Sequence, residues 1–216
     1  MPKPKIICFD IDGTLIDGNS WLLLTDGLGC SVVRHVKLYE DTVSGKITFE
    51  AGERELVGIW RNSGKATRAT IKEIYEKVRV REGVDDLFNF LRNKGFLIYL
   101  VSGSNKFFVE GIAHRLKPDG FYSNAEIIFD KDGVISQIDQ RITEQGQIKV
   151  EQVTEIAEKN GVNIKDIYFV GDGENDIDVF IATGKGLCVH TSDDYLKKVA
   201  CKNLESLNEI QEMFEI

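Results

Sequence analysis

The chain has 216 residues, 42% of them apolar and 29% charged, a balance that excludes wholesale disorder and allows one substantial core with a smaller appendage. Its net charge of −8 gives a field that repels nucleic acid and other polyanions, so an anionic substrate would need local cations. No apolar run approaches the roughly 20 residues of a membrane span, Met1-Pro2-Lys3-Pro4-Lys5 leads straight into a strand with no sign of an export signal, and Cys8, Cys30, Cys188 and Cys201 are scattered without a C-x-x-C pair. A cytoplasmic protein with reduced thiols and no membrane partner is expected, with monomer and homodimer both open.

Residues 6–9 form a short apolar run that reads as a buried strand, and it ends in Asp10-Ile11-Asp12-Gly13-Thr14. From Gly18 to Arg79 the helical period takes over, in segments 21–28, 32–43, 49–62 and 66–80 with breaks at Gly45-Lys46 and Asn62-Ser63-Gly64. Alternation then returns: a helix over 84–93, a nearly all-apolar strand over 96–101, a Ser102-Gly103-Ser104 turn, and a helix from Asn105 to Leu116. Residues 125–129 and 134–138 flank Asp130-Lys131-Asp132-Gly133, a hairpin signal. A helix over 149–160, a strand over 167–170, the loop Gly171-Asp172-Gly173-Glu174-Asn175-Asp176, a short helix to Thr183, a strand over 186–190 and helices over 195–199 and 204–214 complete the chain. This order predicts an α/β fold, a doubly wound parallel sheet built from residues 1–16 and 81–216, with a β-hairpin and with residues 17–80 inserted after the first strand as a small helical cap domain.

Three of the polar signals follow apolar strands, where parallel sheets hold their ligands. Asp10 and Asp12 are two apart on an extended strand end and face one cleft if both lie on one side of the pleat. Carboxylates that close repel unless a cation lowers the cost of ionising both, and Mg2+, which takes hard oxygen ligands and bridges to phosphate, is the natural partner. One aspartate can then attack phosphorus while the other serves as acid and base, giving an aspartyl-phosphate that water hydrolyses. Ser102 and the amides of residues 102–104, just ahead of a helix, can hold phosphoryl oxygens, and Ser102 can cap that helix as well. Lys149 can neutralise charge on the phosphate and on Asp10. Asp172 can close a metal site from a neighbouring strand, and Asp176, four residues on, can hold a metal-bound water or fix Lys149.

The ordered series D-x-D-G-T (10–14), S-G (102–103), Lys149 and G-D-G-x-N-D (171–176) resembles the haloacid dehalogenase superfamily over essentially the whole chain, and the lengths and cap position resemble its phosphoserine-phosphatase-like branch. The resemblance implies a Mg2+-dependent phosphatase with Asp10 as nucleophile and Asp12 as acid and base. It also implies Ser102, Gly103, Lys149 and Asn175 around the phosphate, and a metal held by Asp10, the Asp12 carbonyl and Asp172, with Asp176 beside them. An aspartate at position 12 resembles the phosphatases of the superfamily and not its P-type pumps or dehalogenases. Two departures count against phosphoserine as substrate: where the phosphoserine enzymes carry a cap glutamate this chain has Asn19, and where they carry an arginine it has Leu56, with Arg54 two residues earlier. The expected substrate is another small phosphorylated metabolite, read by Asn19, Trp21, Phe49 and Arg54. A phosphotransferase, or a catalytically silent phosphate-binding module, are the alternatives; a binder has no need of an acid and base at Asp12.

Overall fold

In the computed structural model, residues 3–140, 145–191 and 193–215 are described, so Met1 and Pro2 of the leading segment lie outside the described residues. β1 (Lys5–Phe9) runs between β2 (Phe96–Asn105) and β5 (Ile167–Gly171), parallel to both. Beyond β2 come β3 (Gly120–Phe129), parallel, and β4 (Ile135–Gln140), antiparallel. Beyond β5 come β6 (Gly186–Val189) and β7 (Lys202–Leu204), both parallel, giving the order β4-β3-β2-β1-β5-β6-β7. The chain winds outward from β1 first one way and then the other, so the carboxyl ends of β1, β2 and β5 open together at the switch point.

The period of two along β1 sorts its side chains between two layers. Ile7 and Phe9 face α5 (Val84–Asn93) and α6 (Lys106–Leu116) through Leu87, Phe88, Leu91, Phe108 and Ile112. Ile6 and Cys8 face α7 (Gln145–Asn160) and α8 (Ile177–Thr183) through Val153, Ile156, Val179 and Phe180. Two short helices close the chain, α9 (Asp194–Val199) and α10 (Glu209–Phe214).

Between β1 and α5 lie α1 (Ser20–Gly27), α2 (Val32–Val43), α3 (Phe49–Asn62) and α4 (Arg68–Glu76). Each starts where a side chain accepts otherwise unpaired first-turn amides, from Asn19, Ser31, Thr48 and Thr67 in turn. Leu24, Leu28, Trp60 and Ile71 of this insert join the same apolar cluster as Ile7 and Phe9. The insert leaves and re-enters the sheet side by side: Ile16 bridges Val80, and the Arg81 amide donates to Leu15 O at 2.8 Å. It is also tied to the β3–β4 hairpin, where the Ile135 amide donates to Ala66 O at 2.9 Å and the Arg68 amide to Gly133 O at 2.8 Å.

Several local expectations change. Residues 102–104 belong to β2 and are not a turn, because Ser102 pairs with Ser123 and, past a register shift, Asn105 with Ala125. The cap of α6 is therefore Asn105, whose side chain accepts from the Phe108 amide at 3.0 Å, and not Ser102. β3 begins at Gly120, well before the hairpin signal, since parallel pairing with β2 fixes it. The fourth insert helix stops at Glu76, leaving the chain free to meet Ile16 at Val80, and the last helix begins at Glu209 and not at Leu204, which ends the edge strand β7. Among the described residues no helix is long and apolar enough to cross a membrane.

Candidate active site

Asp10 follows β1 directly, and its amide continues the sheet by donating to Val170 O at 2.9 Å. The loop then folds against the exit of β5. Gly13 sits at φ +76°, a left-handed conformation that disfavours any side chain, and a Cβ there would collide with the Asp172 carboxylate. Thr14 Oγ1 donates to Asp172 Oδ1 at 2.7 Å and fixes that side chain across the gap between the two loops. After β5 the chain makes one 3-10 turn over Glu174–Asp176, and a Cβ at Gly171 would strike the Asp176 carboxylate, so only glycine permits this approach.

Lys149 comes from the buried face of α7 and is fully buried, beside Ile148 and Val153. Its Nζ donates to Asp176 Oδ1 at 2.6 Å and to Asn175 Oδ1 at 3.2 Å, and it forms an ion pair with Asp10 Oδ1 at 3.3 Å. Asp176 Oδ2 accepts from the amides of Asp172 (3.0 Å) and Gly173 (3.1 Å), so both of its oxygens are engaged and it holds Lys149 in place. Asp12 Oδ2 accepts from Ser20 Oγ at 2.7 Å, and Ser20 Oγ lies 2.5 Å from Ser104 Oγ. Asp12 Oδ1 is buried with no hydrogen-bond partner.

Burial dominates the electrostatics. It pushes the Asp10 carboxyl well above the usual range, helped by the charges of Asp176, Asp172 and Asp12 and opposed by Lys149. Asp12 is raised to about 6 by burial, against the hydrogen bonds from Ser20, and Asp172 is raised by burial against the Thr14 bond. For Lys149 burial acts downward, but Asp10 and Asp176 outweigh it and push the ammonium up to about 12. One ammonium thus faces several carboxylates. Asp10, Asp172 and Asp176 each bring an oxygen within 4.8 Å of the other two, a group that could hold a metal ion. A hard divalent cation fits this all-oxygen set and the surplus of negative charge, and Asp10 Oδ1 still lacks a hydrogen bond. The Asp12 carboxylate stands outside this three-carboxylate group.

Ser102 is fully buried, with its Oγ accepting from the Ser104 amide at 3.2 Å. The Cα of Gly103 faces Asn175 and Gln145, so that a Cβ there would lie 3.3 Å from Asn175 Nδ2 and 3.2 Å from Gln145 Oε1. Asn175 Nδ2 in turn donates to Gln145 Oε1 at 3.4 Å. Ser102, Gly103, Lys149 and Asn175 therefore gather at the ends of β2 and β5. Gln145, Thr14 and Ser20 join them unforeseen as candidate site residues, and Ser104, expected there only through its amide, adds its hydroxyl. Thr14 and Ser104 lie inside segments that the sequence marks out, whereas Ser20 and Gln145 carry no local signal.

Among the described residues, the insert candidates Asn19, Trp21, Phe49 and Arg54 make no side-chain hydrogen bond or ion pair to the site carboxylates. Asn19 is exposed, and its Oδ1 accepts from the amides of Trp21 (3.0 Å) and Leu22 (3.2 Å), a helix-capping arrangement. Trp21 stacks on Trp60 with ring centroids 6.2 Å apart, Phe49 is half-buried in the first turn of α3, Arg54 is exposed on α3, and Leu56 is buried.

A family model described as haloacid dehalogenase-like hydrolase matches residues 4–184. The chain belongs to the haloacid dehalogenase-like hydrolases. Within them it is similar to phosphatases along most of its length. The phosphoserine phosphatase of Methanocaldococcus jannaschii is 28% identical over 84% of this chain and 83% of that protein, and the one from Lactococcus lactis is 29% identical over 87% and 84%. Among solved structures, a phospho-aspartyl intermediate analogue of phosphoserine phosphatase matches with a TM-score of 0.80 at 25% identity, covering 98% of this chain and 99% of that one. A substrate-bound phosphoserine phosphatase complex matches with a TM-score of 0.80, also at 25% identity and over 99% of both chains. The family and the doubly wound α/β fold expected from the four motifs are both found in this haloacid dehalogenase-like hydrolase.

Proposed function

We propose that this haloacid dehalogenase-like phosphatase hydrolyses phosphomonoesters of small metabolites, with Mg2+ and through an aspartyl-phosphate on Asp10. The observation that carries the proposal is the buried convergence of Asp10, Lys149, Asp172 and Asp176, with the partnerless Asp12 Oδ1 two residues from Asp10 after the same strand. Asp10 is the nucleophile. Its carboxylate, held by Lys149, bonds to phosphorus as the ester oxygen leaves, and Asp12 gives that oxygen a proton. Asp12 then takes a proton from the water that attacks the aspartyl-phosphate, which restores Asp10. Ser102, the main chain at Gly103, Lys149 and Asn175 hold the phosphoryl oxygens, and Asp176 keeps Lys149 oriented. Asp10, the main chain of Asp12 and Asp172 would hold the Mg2+ ion, with Asp176 beside them. When bound, the ion supplies positive charge toward the phosphoryl oxygens and lowers the cost of keeping Asp10 ionised.

Residues 17–80 act as the cap over this cleft, and movement about Asp17-Gly18 and 79–83 admits substrate. Phosphoserine belongs among the substrates to be tested because of the relatives, although Leu56 is buried and apolar and Asn19 is engaged in capping α1, so neither offers a charge to an amino acid. The four free cysteines suit a reducing cytoplasm.

The test is phosphate release from a panel of phosphorylated metabolites that includes phosphoserine, with Mg2+ or EDTA, for wild type and Asp10→Asn. Release that needs the metal and disappears in the variant is expected, and release that persists in Asp10→Asn would overturn the proposal.

A further inference from the structure

Asp12 is held by the helical insert. Ser20, the first residue of α1, and Ser104 near the end of β2 are both fully buried, and together they form a hydroxyl pair that ends on Asp12 Oδ2. A serine hydroxyl has one hydrogen, and an ionised carboxylate can only accept. Ser20 therefore donates to Asp12, and Ser104 must donate to Ser20. The chain stops there, because Ser104 Oγ makes no other hydrogen bond among the described residues. A dead-ended pair of hydroxyls cannot carry a proton away; it can only orient what it holds. The other oxygen, Asp12 Oδ1, is buried and has no partner.

We propose that Ser20, backed by Ser104, is a positioning residue that reserves Oδ2 of Asp12 as an acceptor and leaves Oδ1 as the oxygen that exchanges the proton. The inference rests on the phosphatase reading above. In the first step the bond from Asp10 to phosphorus forms and the ester P–O bond breaks, and the proton on Asp12 Oδ1 moves to the ester oxygen, which departs as an alcohol. In the second, Oδ1 takes a proton from water as the water oxygen bonds to phosphorus and the bond from phosphorus to Asp10 breaks. Without the Ser20 hydroxyl, Asp12 keeps only the Ser20 main-chain amide as a donor, so Oδ2 is held less firmly as the acceptor and the proton is shared more between the two oxygens; protonation of the leaving group slows while attack by Asp10 does not.

The two effects separate by leaving group. An alkoxide needs the proton to leave, and general acid help of this kind is typically worth about a hundredfold or more; a nitrophenolate leaves without it. For Ser20→Ala, kcat/KM with glycerol phosphate should fall by about tenfold or more, while kcat/KM with p-nitrophenyl phosphate falls much less. Ser20→Thr, which keeps a hydroxyl, should restore much of the glycerol phosphate rate. Ser104→Ala should give a smaller loss with the same selectivity, and it carries the test if Ser20→Ala does not fold. Equal losses on the two esters, or no loss on either, would overturn the positioning role and leave the phosphatase reading standing. Phosphate release from either ester that persists in Asp10→Asn would overturn both.

Discussion

The site at the carboxyl ends of the central strands and a knot inside the helical insert both bury polar side chains, and they leave them in different states. In the knot, Thr25 Oγ1 donates to Trp21 O (3.0 Å), accepts from Trp60 Nε1 (2.9 Å) and lies 2.7 Å from His35 Nδ1. That hydroxyl has one hydrogen to give and two lone pairs to fill, and the three contacts to Trp21, Trp60 and His35 use all of them. Trp21 stacks on Trp60, and His35 meets Trp60 edge-on at 6.1 Å, which closes the knot. At the site, Asp12 Oδ1 is buried with no hydrogen-bond partner, and Asp10 Oδ1 has only its ion pair with Lys149 at 3.3 Å. Leaving a buried polar group unpaired costs about 1–3 kcal/mol, and more for a charge. In the knot that cost is avoided and the polar groups act as scaffolding, whereas at the site the missing partner can come from outside, as a substrate or an ion.

The largest expected effect tests the site as chemistry. Asp10→Asn should lower phosphate release by at least about a thousandfold, since no other group can form the covalent intermediate. Measured without metal, its melting temperature should not fall, because the variant removes a carboxylate whose ionisation burial already opposes. A variant that both unfolds and loses activity would make Asp10 scaffolding and erase the contrast. Lys149 is the exception that belongs to both classes. Lys149→Met removes the only side-chain cation in contact with Asp10 and Asp176 among the described residues, and urea denaturation should show a loss of about 3–5 kcal/mol, the cost of breaking a buried pair from one side.

How much of this contrast could be read in advance differs between the two regions. The three strands that carry the site are short apolar runs ending in acidic or small polar residues, so Asp10, Asp12, Ser102 and Asp172 were legible from local pattern. The insert helices were legible too, from the helical period and the breaks at Gly45-Lys46 and Asn62-Ser63-Gly64, and α2 and α3 run over the expected residues. What stayed hidden depends on pairing between distant segments. Ser20 meets Ser104 across 84 residues and Thr14 meets Asp172 across 158, and the extension of β2 to Asn105 follows from its pairing with β3. The Thr25–His35–Trp60 knot was hidden for the same reason, since a lone histidine reads as ordinary packing until its partners are placed.

A smaller effect tests whether the surplus negative charge is there for an ion. Mg2+ at about a hundred times its dissociation constant should stabilise wild type by about 2.7 kcal/mol, read as a rise in melting temperature that EDTA reverses. Asp172→Asn keeps an oxygen to accept from Thr14 but removes one carboxylate of the group, and it should lose most of that rise. A rise of the same size in Asp172→Asn would place the ion elsewhere.

The smallest effect uses pH to separate the two regions, because acid acts on them with opposite sign. His35 is lowered by burial from 6.5 to about 4, so between those values the unfolded chain binds a proton that the folded chain refuses. Its contribution is complete above about pH 6.5 and is lost as pH falls toward 4. Asp12 is raised from 3.8 to about 6, so in metal-free protein the folded chain binds the extra proton, and stability is gained as pH falls through that range. Denaturation of EDTA-treated protein at pH 7 and pH 4.5 should therefore show a partial cancellation in wild type that the variants undo. His35→Gln, which has no charge to gain, should become relatively more stable on acidification, and Asp12→Asn relatively less. If both variants follow wild type at both pH values, neither buried group titrates as its surroundings dictate. The satisfied knot and the unsatisfied site would then differ in geometry but not in energy.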